Sequence, residues 1–325
     1  MKEDVSFHDV LEAYKRIKSS VFRTPLYHSV ALSKRIGVET YLKLECFQLT
    51  GAFKIRGAIN KIYSLSKSEL RKGLVTASSG NHGLAVSYAA KLHGSKATIV
   101  VPEKAVEEKI RAIQDYGAKV IKHGRNYDEA YVKALEIQKE SGATFVHPFN
   151  DPLVIAGQGT IGLELLEDIP DIDTIIVPIG GGGLISGVSI AAKTLKPHIR
   201  IVGVQPEGAQ AAYLSWKAGE IVEVDAVKTV ADGLAAKKPL ELTFNTIKRY
   251  VDEILLVSDE EIGEAVLTLL NLVHVLAEPS GAASTAALLS RYKPEPKEKV
   301  AVIVTGANIS INYLASLLTQ PKPTV

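Results

Sequence analysis

The stretch TIIVPIGGGGLISG at 174–187 runs from an uncharged apolar segment through four glycines, Gly180 to Gly183, into residues that can continue as a helix. A short apolar run closed by a glycine turn reads as a strand buried on both faces, which belongs to a parallel sheet covered by helices. Working outward, similar runs recur: TYLKLE (40–45), GLVTAS (73–78), ATIVVP (97–102), KVIKH (119–123), TFVH (144–147), RIVGVQ (200–205), EILLV (253–257) and KVAVIVT (299–305). Between most of them lies enough chain for one helix. That alternation is the pattern of right-handed βαβ crossovers, so the fold class is α/β. Ser258 followed by Glu261 has the spacing of a capping box and predicts a helix start before EIGEAVLTLL.

With 325 residues the chain has room for two domains or one large unit. A boundary is expected at HPFNDP (147–152), two prolines among polar residues between a strand and a helix starting near Leu153, and four strand candidates from about Gly73 precede it. RYKPEPKEK reads as a surface loop and QPKPTV as a frayed tail. The 38 Lys plus Arg nearly cancel the 36 Asp plus Glu, so no global field marks nucleic acid or a membrane as the partner, and any anion site is local. Cys46, alone, excludes an intrachain disulfide and a cysteine-rich metal site. The start MKEDVSFHDV carries no apolar signal region, which reads as a cytoplasmic protein. The uncharged stretches 174–192 and 300–321 are poor membrane spans, the first for Pro178 and its glycines, the second for Thr305, Asn308, Ser310 and Asn312.

Four segments carry candidate chemistry. At Gly180 to Gly183 the missing side chains let backbone N–H groups approach an anion, and a following helix adds its unsatisfied donors and positive end. Val188 stands where a nucleotide P-loop has its lysine, and the next strand ends at Gln205 rather than at an acid for a ribose hydroxyl. A single terminal phosphate on a small cofactor fits better than a nucleoside triphosphate or NAD, although Glu207 keeps NAD open. In LTGAFKIRGA (49–58), Lys54 lies between Phe53 and Ile55; it is a solvated surface charge, or, facing an apolar pocket, an amine freed for Schiff-base chemistry. Arg56 reads equally as half of an ordinary surface ion pair. In TASSGNHG (76–83), Ser78, Ser79, Asn81 and His82 gather at a helix start: one of them is a plain N-cap, or together they form a carboxylate site. No HExxH or Cys/His spacing makes His82 a metal ligand, so no metal is expected. In VTGAN (304–308), Thr305 ends a strand where ligands of open sheets gather, or caps the next helix.

Taken together, these segments resemble the fold-type II pyridoxal-phosphate enzymes, and within them the serine/threonine dehydratase and serine racemase group. The resemblance covers nearly the whole chain: Thr24-Pro25-Leu26, GAFKIRGA, ASSGNHGLA, HPFNDPLVIAGQGTIGLEL, PIGGGGLISG, the Thr229 to Gly233 segment, Glu278-Pro279-Ser280-Gly281 and VTGAN, in the family order. It implies pyridoxal 5'-phosphate as cofactor and the tryptophan synthase β-like architecture, with two open, mostly parallel twisted sheets covered by helices. A small mobile domain of 73–150 is then expected within a larger cofactor-binding one made of 1–72 and 151–325. By the same resemblance Lys54 is the Schiff-base lysine and removes the α-proton, Phe53 lies against the pyridine ring, and Asn81 meets the ring hydroxyl. Gly180, Gly181, Gly182 and Gly183 hold the phosphate, Thr305 meets the ring nitrogen, and Gly233 and Glu278 lie against the cofactor. Ser78, Ser79, Asn81 and His82 surround the substrate carboxylate, and Ser79 matches the opposite-face acid/base of racemases.

The implied activity is β-elimination of water from L-threonine or L-serine, giving 2-oxobutanoate or pyruvate plus ammonia. A small amino acid is the partner, and by family habit the protein is a homodimer or homotetramer. Serine racemase and 3-hydroxyaspartate dehydratase stay open on the same scaffold, with a nucleotide-dependent oxidoreductase and a non-catalytic binding protein further off. Gln205 and Ala211 occupy positions where animal-type racemases hold a divalent cation with acids, and Phe149 in HPFND matches threonine dehydratases rather than those racemases, which tilts the reading towards dehydration. His82 differs from the threonine usual in cysteine synthases. With the chain ending soon after Thr305, no regulatory C-terminal domain is expected.

Overall fold

The computed structural model describes residues 4–319, so the expected frayed tail QPKPTV lies outside the described residues. Each of the nine apolar runs contains a strand: β2 (Glu39–Leu44), β3 (Leu74–Ala77), β4 (Ala97–Val101), β5 (Lys119–Lys122), β6 (Thr144–Phe145), β7 (Thr174–Pro178), β8 (Arg200–Pro206), β9 (Glu253–Val257) and β10 (Lys299–Val304). Sequence reading missed β1 (Leu26–His28), a short, largely exposed edge strand without the apolar signal and the one antiparallel member of the sheets. The strands form two sheets, one ordered β1-β2-β10-β7-β8-β9 and one ordered β5-β4-β3-β6, and every pairing but β1 with β2 is parallel. The fold is therefore α/β with mostly parallel sheets. The helix start at Ser258 carries its full capping box with Glu261.

All strands of the smaller sheet lie between residues 74 and 145, but its core does not stop there. Ile17, Ile55, Ile59 and Ile62 pack in one apolar cluster with Leu74, Ala85, Ile99 and Ile113, so the helix Lys54–Tyr63 belongs to both halves. Its other side meets the helix Pro152–Asp168, where a Cβ on Gly157 would lie 2.7 Å from the Arg56 carbonyl oxygen. Only glycine permits that approach of two backbones. The helix bearing Lys54 is thus wedged between the sheets. No helix among the described residues is long and apolar enough to cross a membrane.

Candidate active site

The loops that follow β2, β3, β7 and β10 meet at the carboxyl ends of these strands, where parallel sheets bind their ligands. Lys54 opens its helix there, and the chain before it is tied to the end of β10. Phe53 N donates to Thr305 O at 3.0 Å, Ala307 N donates to Gly51 O at 2.8 Å, and Ala52 bridges to Gly306. The Lys54 side chain is half-buried, and its amine donates to Pro148 O at 3.0 Å with the Phe53 ring centroid 5.0 Å away. Burial disfavours the ammonium and pulls its pKa down to about 8, against an opposing pull from Glu278. Lys54 is therefore no solvated surface charge.

Arg56, two residues on, is no surface pair either. It is fully buried, and its guanidinium bridges Glu45 (2.8 Å) and Glu164 (2.7 Å), while Lys43 also meets Glu164 at 2.7 Å and Thr24 bonds to Glu45 at 2.5 Å. Desolvation opposes the charge of Arg56, but the two carboxylates outweigh it and hold the guanidinium firmly protonated. The sequence hid this network because Lys43 and Glu45 fall within an apolar run and Glu164 lies more than a hundred residues away.

Two of the helices that start at the cleft begin after a glycine, with no side-chain cap. The helix Asn81–Leu92 is capped by Gly80, so neither Ser79 nor Asn81 serves as the plain N-cap, and its first N–H groups remain for a ligand. The helix Gly183–Leu195 is capped by Gly182 at φ 91°, a left-handed conformation that glycine adopts without strain. A Cβ on Gly180 would lie 2.8 Å from Gly233 O, and one on Gly181 would overlap the Phe149 ring. The glycine loop is thus a backbone-only cradle walled by Phe149 and by the Gly233 turn, and Ser280 Oγ holds Gly233 N at 3.0 Å. This donor set fits a phosphate monoester.

Ser78 and Ser79 are half-buried at the entry to the Asn81 helix, where Ser78 Oγ accepts from Gly80 N at 3.3 Å. His82 is turned inward. Its Nε2 meets the Val146 carbonyl oxygen at 2.9 Å and must donate there, leaving Nδ1 as an acceptor that is buried with no partner among the described residues. Burial, with Lys54 nearby, lowers its pKa to about 3, so the ring is neutral and offers a carboxylate no positive charge. His147 shapes the wall: its Nδ1 accepts from Phe149 N at 3.2 Å and Asn150 N at 2.8 Å, and the ring meets Phe149 edge to face. Thr305 Oγ1 donates to Ser280 O at 3.3 Å, and the next helix begins only at Ile311, so Thr305 is not its cap. Glu278 is buried beside it, and desolvation together with Asp232 raises its carboxyl to about 7. Its Oε1 accepts from Asn81 Nδ2 at 2.5 Å. Asn308 is a residue the sequence left without a role, and its Nδ2 donates to Asn81 Oδ1 at 2.7 Å.

The family profile described as "Pyridoxal-phosphate dependent enzyme" matches residues 17–306. The chain belongs to this family. It is 48% identical over 316 residues to the L-threonine ammonia-lyase of Thermotoga maritima, which covers 97% of this chain and 79% of that one. It is 40% identical over 315 residues to the L-threonine dehydratase catabolic TdcB of Escherichia coli, covering 96% of each. Among solved structures, maize serine racemase superposes with a TM-score of 0.93 at 41% identity over 97% of both chains. Membership makes pyridoxal 5'-phosphate the cofactor, and the glycine cradle and the Lys54 amine are complementary to its phosphate and its aldehyde.

Proposed function

We propose that the protein is an L-threonine/L-serine ammonia-lyase, converting the amino acid to a 2-oxo acid and ammonia. The observation that carries this reading is the Lys54 amine, enclosed at the strand ends and lowered to about 8, which makes it a base that can work near neutral pH. When bound, pyridoxal phosphate supplies an electron sink for the substrate α-carbon. Gly180 to Gly183 would hold its phosphate through backbone N–H groups, Phe53 would pack against its ring, and Thr305, Gly233 and Glu278 would complete the pocket. Thr305 would face the ring nitrogen with a hydroxyl, which would not keep it protonated as a carboxylate does, so the sink would be weaker and loss of a β-hydroxyl favoured over transamination. Ser78, Ser79 and the uncapped N–H groups of the Asn81 helix bind the substrate carboxylate, and Lys54 takes the α-proton. His82 holds the Asn81 helix to Val146, next to the Pro148 carbonyl that receives the Lys54 amine. The unit around 73–150 closes on the substrate as the small domain.

Relatives named for threonine ammonia-lyase and threonine dehydratase support this substrate class. Gln205 supports dehydration over metal-assisted racemisation: its Oε1 accepts from Tyr213 N at 2.8 Å and its Nε2 donates to Ile179 O at 3.3 Å, so the amide is committed to backbone. The test follows L-threonine and L-serine with the pyridoxal-phosphate-loaded protein, recording 2-oxo acid and D-isomer in the same samples. Oxo acid in excess is expected, abolished by Lys54→Ala, while Ser79→Ala removes what D-isomer forms and leaves most of the elimination; equal loss of the two would mean that Ser79 serves carboxylate binding alone. D-isomer outpacing oxo acid would make the protein a racemase.

A further inference from the structure

Asn81 has both ends of its carboxamide engaged across the cleft. Its Nδ2 donates to Glu278 Oε1 at 2.5 Å, at the start of the helix Pro279–Ser290, and its Oδ1 accepts from Asn308 Nδ2 at 2.7 Å, in the loop after β10. Asn308 Nδ2 spends its other hydrogen on Thr50 O at 2.9 Å. A backbone carbonyl only accepts, so Thr50 forces Asn308 to present its amide nitrogen; Asn81 must then present oxygen to Asn308 and nitrogen to Glu278. Along this row the donors run outward from Asn308, one way to Thr50 and the other through Asn81 to Glu278, and both termini are acceptors. The backbone has been shaped to hold it. Gly51, at φ 70°, leaves room for the Asn308 amide, since a Cβ there would lie 2.6 Å from Asn308 Oδ1, and a Cβ on Gly306 would overlap the Glu278 carboxylate.

We propose that Glu278 and Asn308 are positioning residues that lock the Asn81 amide in one orientation, leaving its second N–H free to donate to the cofactor's ring oxygen. The inference rests on the reading of Asn81 as the ring-oxygen partner. Among the described residues, that second N–H has no protein acceptor. Turning the amide over would set nitrogen against nitrogen at Asn308, oxygen against carboxylate at Glu278, and a lone pair against the ring oxygen, an arrangement a buried network resists. The groups whose charges reach Glu278 are Asp232, Lys109 and Lys54, and Glu278 in turn reaches the Cys46 thiol. The carboxyl's position near neutral pH makes the row sensitive to its ionisation.

The test compares the holoenzyme with Asn308→Asp, Glu278→Gln and Glu278→Ala by two readouts besides turnover: retention of pyridoxal phosphate on equilibrium dialysis, and the pH midpoint of its visible absorption band. Asn308→Asp faces Thr50 O and Asn81 Oδ1 with acceptors alone, so the Asn81 amide must turn; pyridoxal phosphate is then held about tenfold more weakly and the midpoint shifts. Glu278→Gln, which also removes a charge, is judged by retention only. It still offers Asn81 an amide oxygen and keeps the cofactor, whereas Glu278→Ala loses it. Should Asn308→Asp fail to fold, the contrast between Gln and Ala at 278 decides. Variants that lose thermal stability yet keep retention and midpoint would overturn the positioning role. A wild-type protein with no Lys54-dependent band would instead overturn the reading of the cofactor site on which the role rests.

Discussion

At the scale of single residues the chemistry turns on desolvation. Lys54 sits against an aromatic ring with one carbonyl for company, and the loss of water lowers its pKa from the ordinary 10.5 to about 8. The neutral amine that captures an aldehyde therefore becomes abundant only as pH passes that value. The rate of pyridoxal-phosphate uptake should rise about tenfold per pH unit below it and level off above, measured by stopped-flow absorbance. The same shift acts on stability. Between about 8 and 10.5 the unfolded chain binds a proton at Lys54 that the folded chain does not, so the cofactor-free protein gains stability as pH rises through that window. Lys54→Met should flatten that slope in urea titrations. Spacing alone left Lys54 either a surface charge or a reactive amine, because a string of letters does not say which face of a helix is dry, and only the family resemblance favoured the second. The neutral state of His82 was not legible at all: it depends on burial and on the nearby Lys54, which outweigh the opposing hydrogen bond to Val146.

At the scale of elements the Lys54 helix is held by a buried quartet of charges. Arg56, Lys43, Glu45 and Glu164 come from three separate segments and balance to zero, so each is tolerated only because the others are there. Arg56→Met should leave two carboxylates facing Lys43 alone and cost about 3–5 kcal/mol in urea denaturation. Arg56→Lys should recover only part of this, since an ammonium cannot fork between two carboxylates as a guanidinium does. The helices Pro152–Asp168 and Gly183–Leu195 are buried nearly all round, so apolar residues cover every face and period carries little information.

At the scale of the whole molecule two exposed ion pairs span the halves. Lys109 meets Asp232 at 2.7 Å and Lys237 meets Asp128 at 3.0 Å, joining helices of the four-stranded unit to the segment beside Gly233. Pairs this exposed contribute about 0.2–1 kcal/mol each. The double variant Lys109→Gln/Lys237→Gln should keep its melting temperature within a few degrees. If closure of the smaller unit gates substrate, KM for the amino acid should rise by up to about fivefold, and high salt should mimic the variant in the wild type. An unchanged KM at both salt levels would mean the pairs take no part in closure. The boundary expected at 147–152 lies between β6 and the helix Pro152–Asp168, yet the Lys54 helix packs against elements on both sides of it.

The α/β class, nine of the ten strands among the described residues, the glycine turn and the family were readable from the chain alone, because these depend on local periodicity, backbone sterics and motifs carried in order along it. It took the packed fold to show that the amine of the half-buried Lys54 is desolvated, that Arg56 is buried between Glu45 and Glu164, that Thr305 is no helix cap, and that Asn81 is gripped by Glu278 and Asn308. Each of those is a matter of desolvation or hydrogen bonding between groups far apart in the chain, and such energies exist only once folding has brought the partners together.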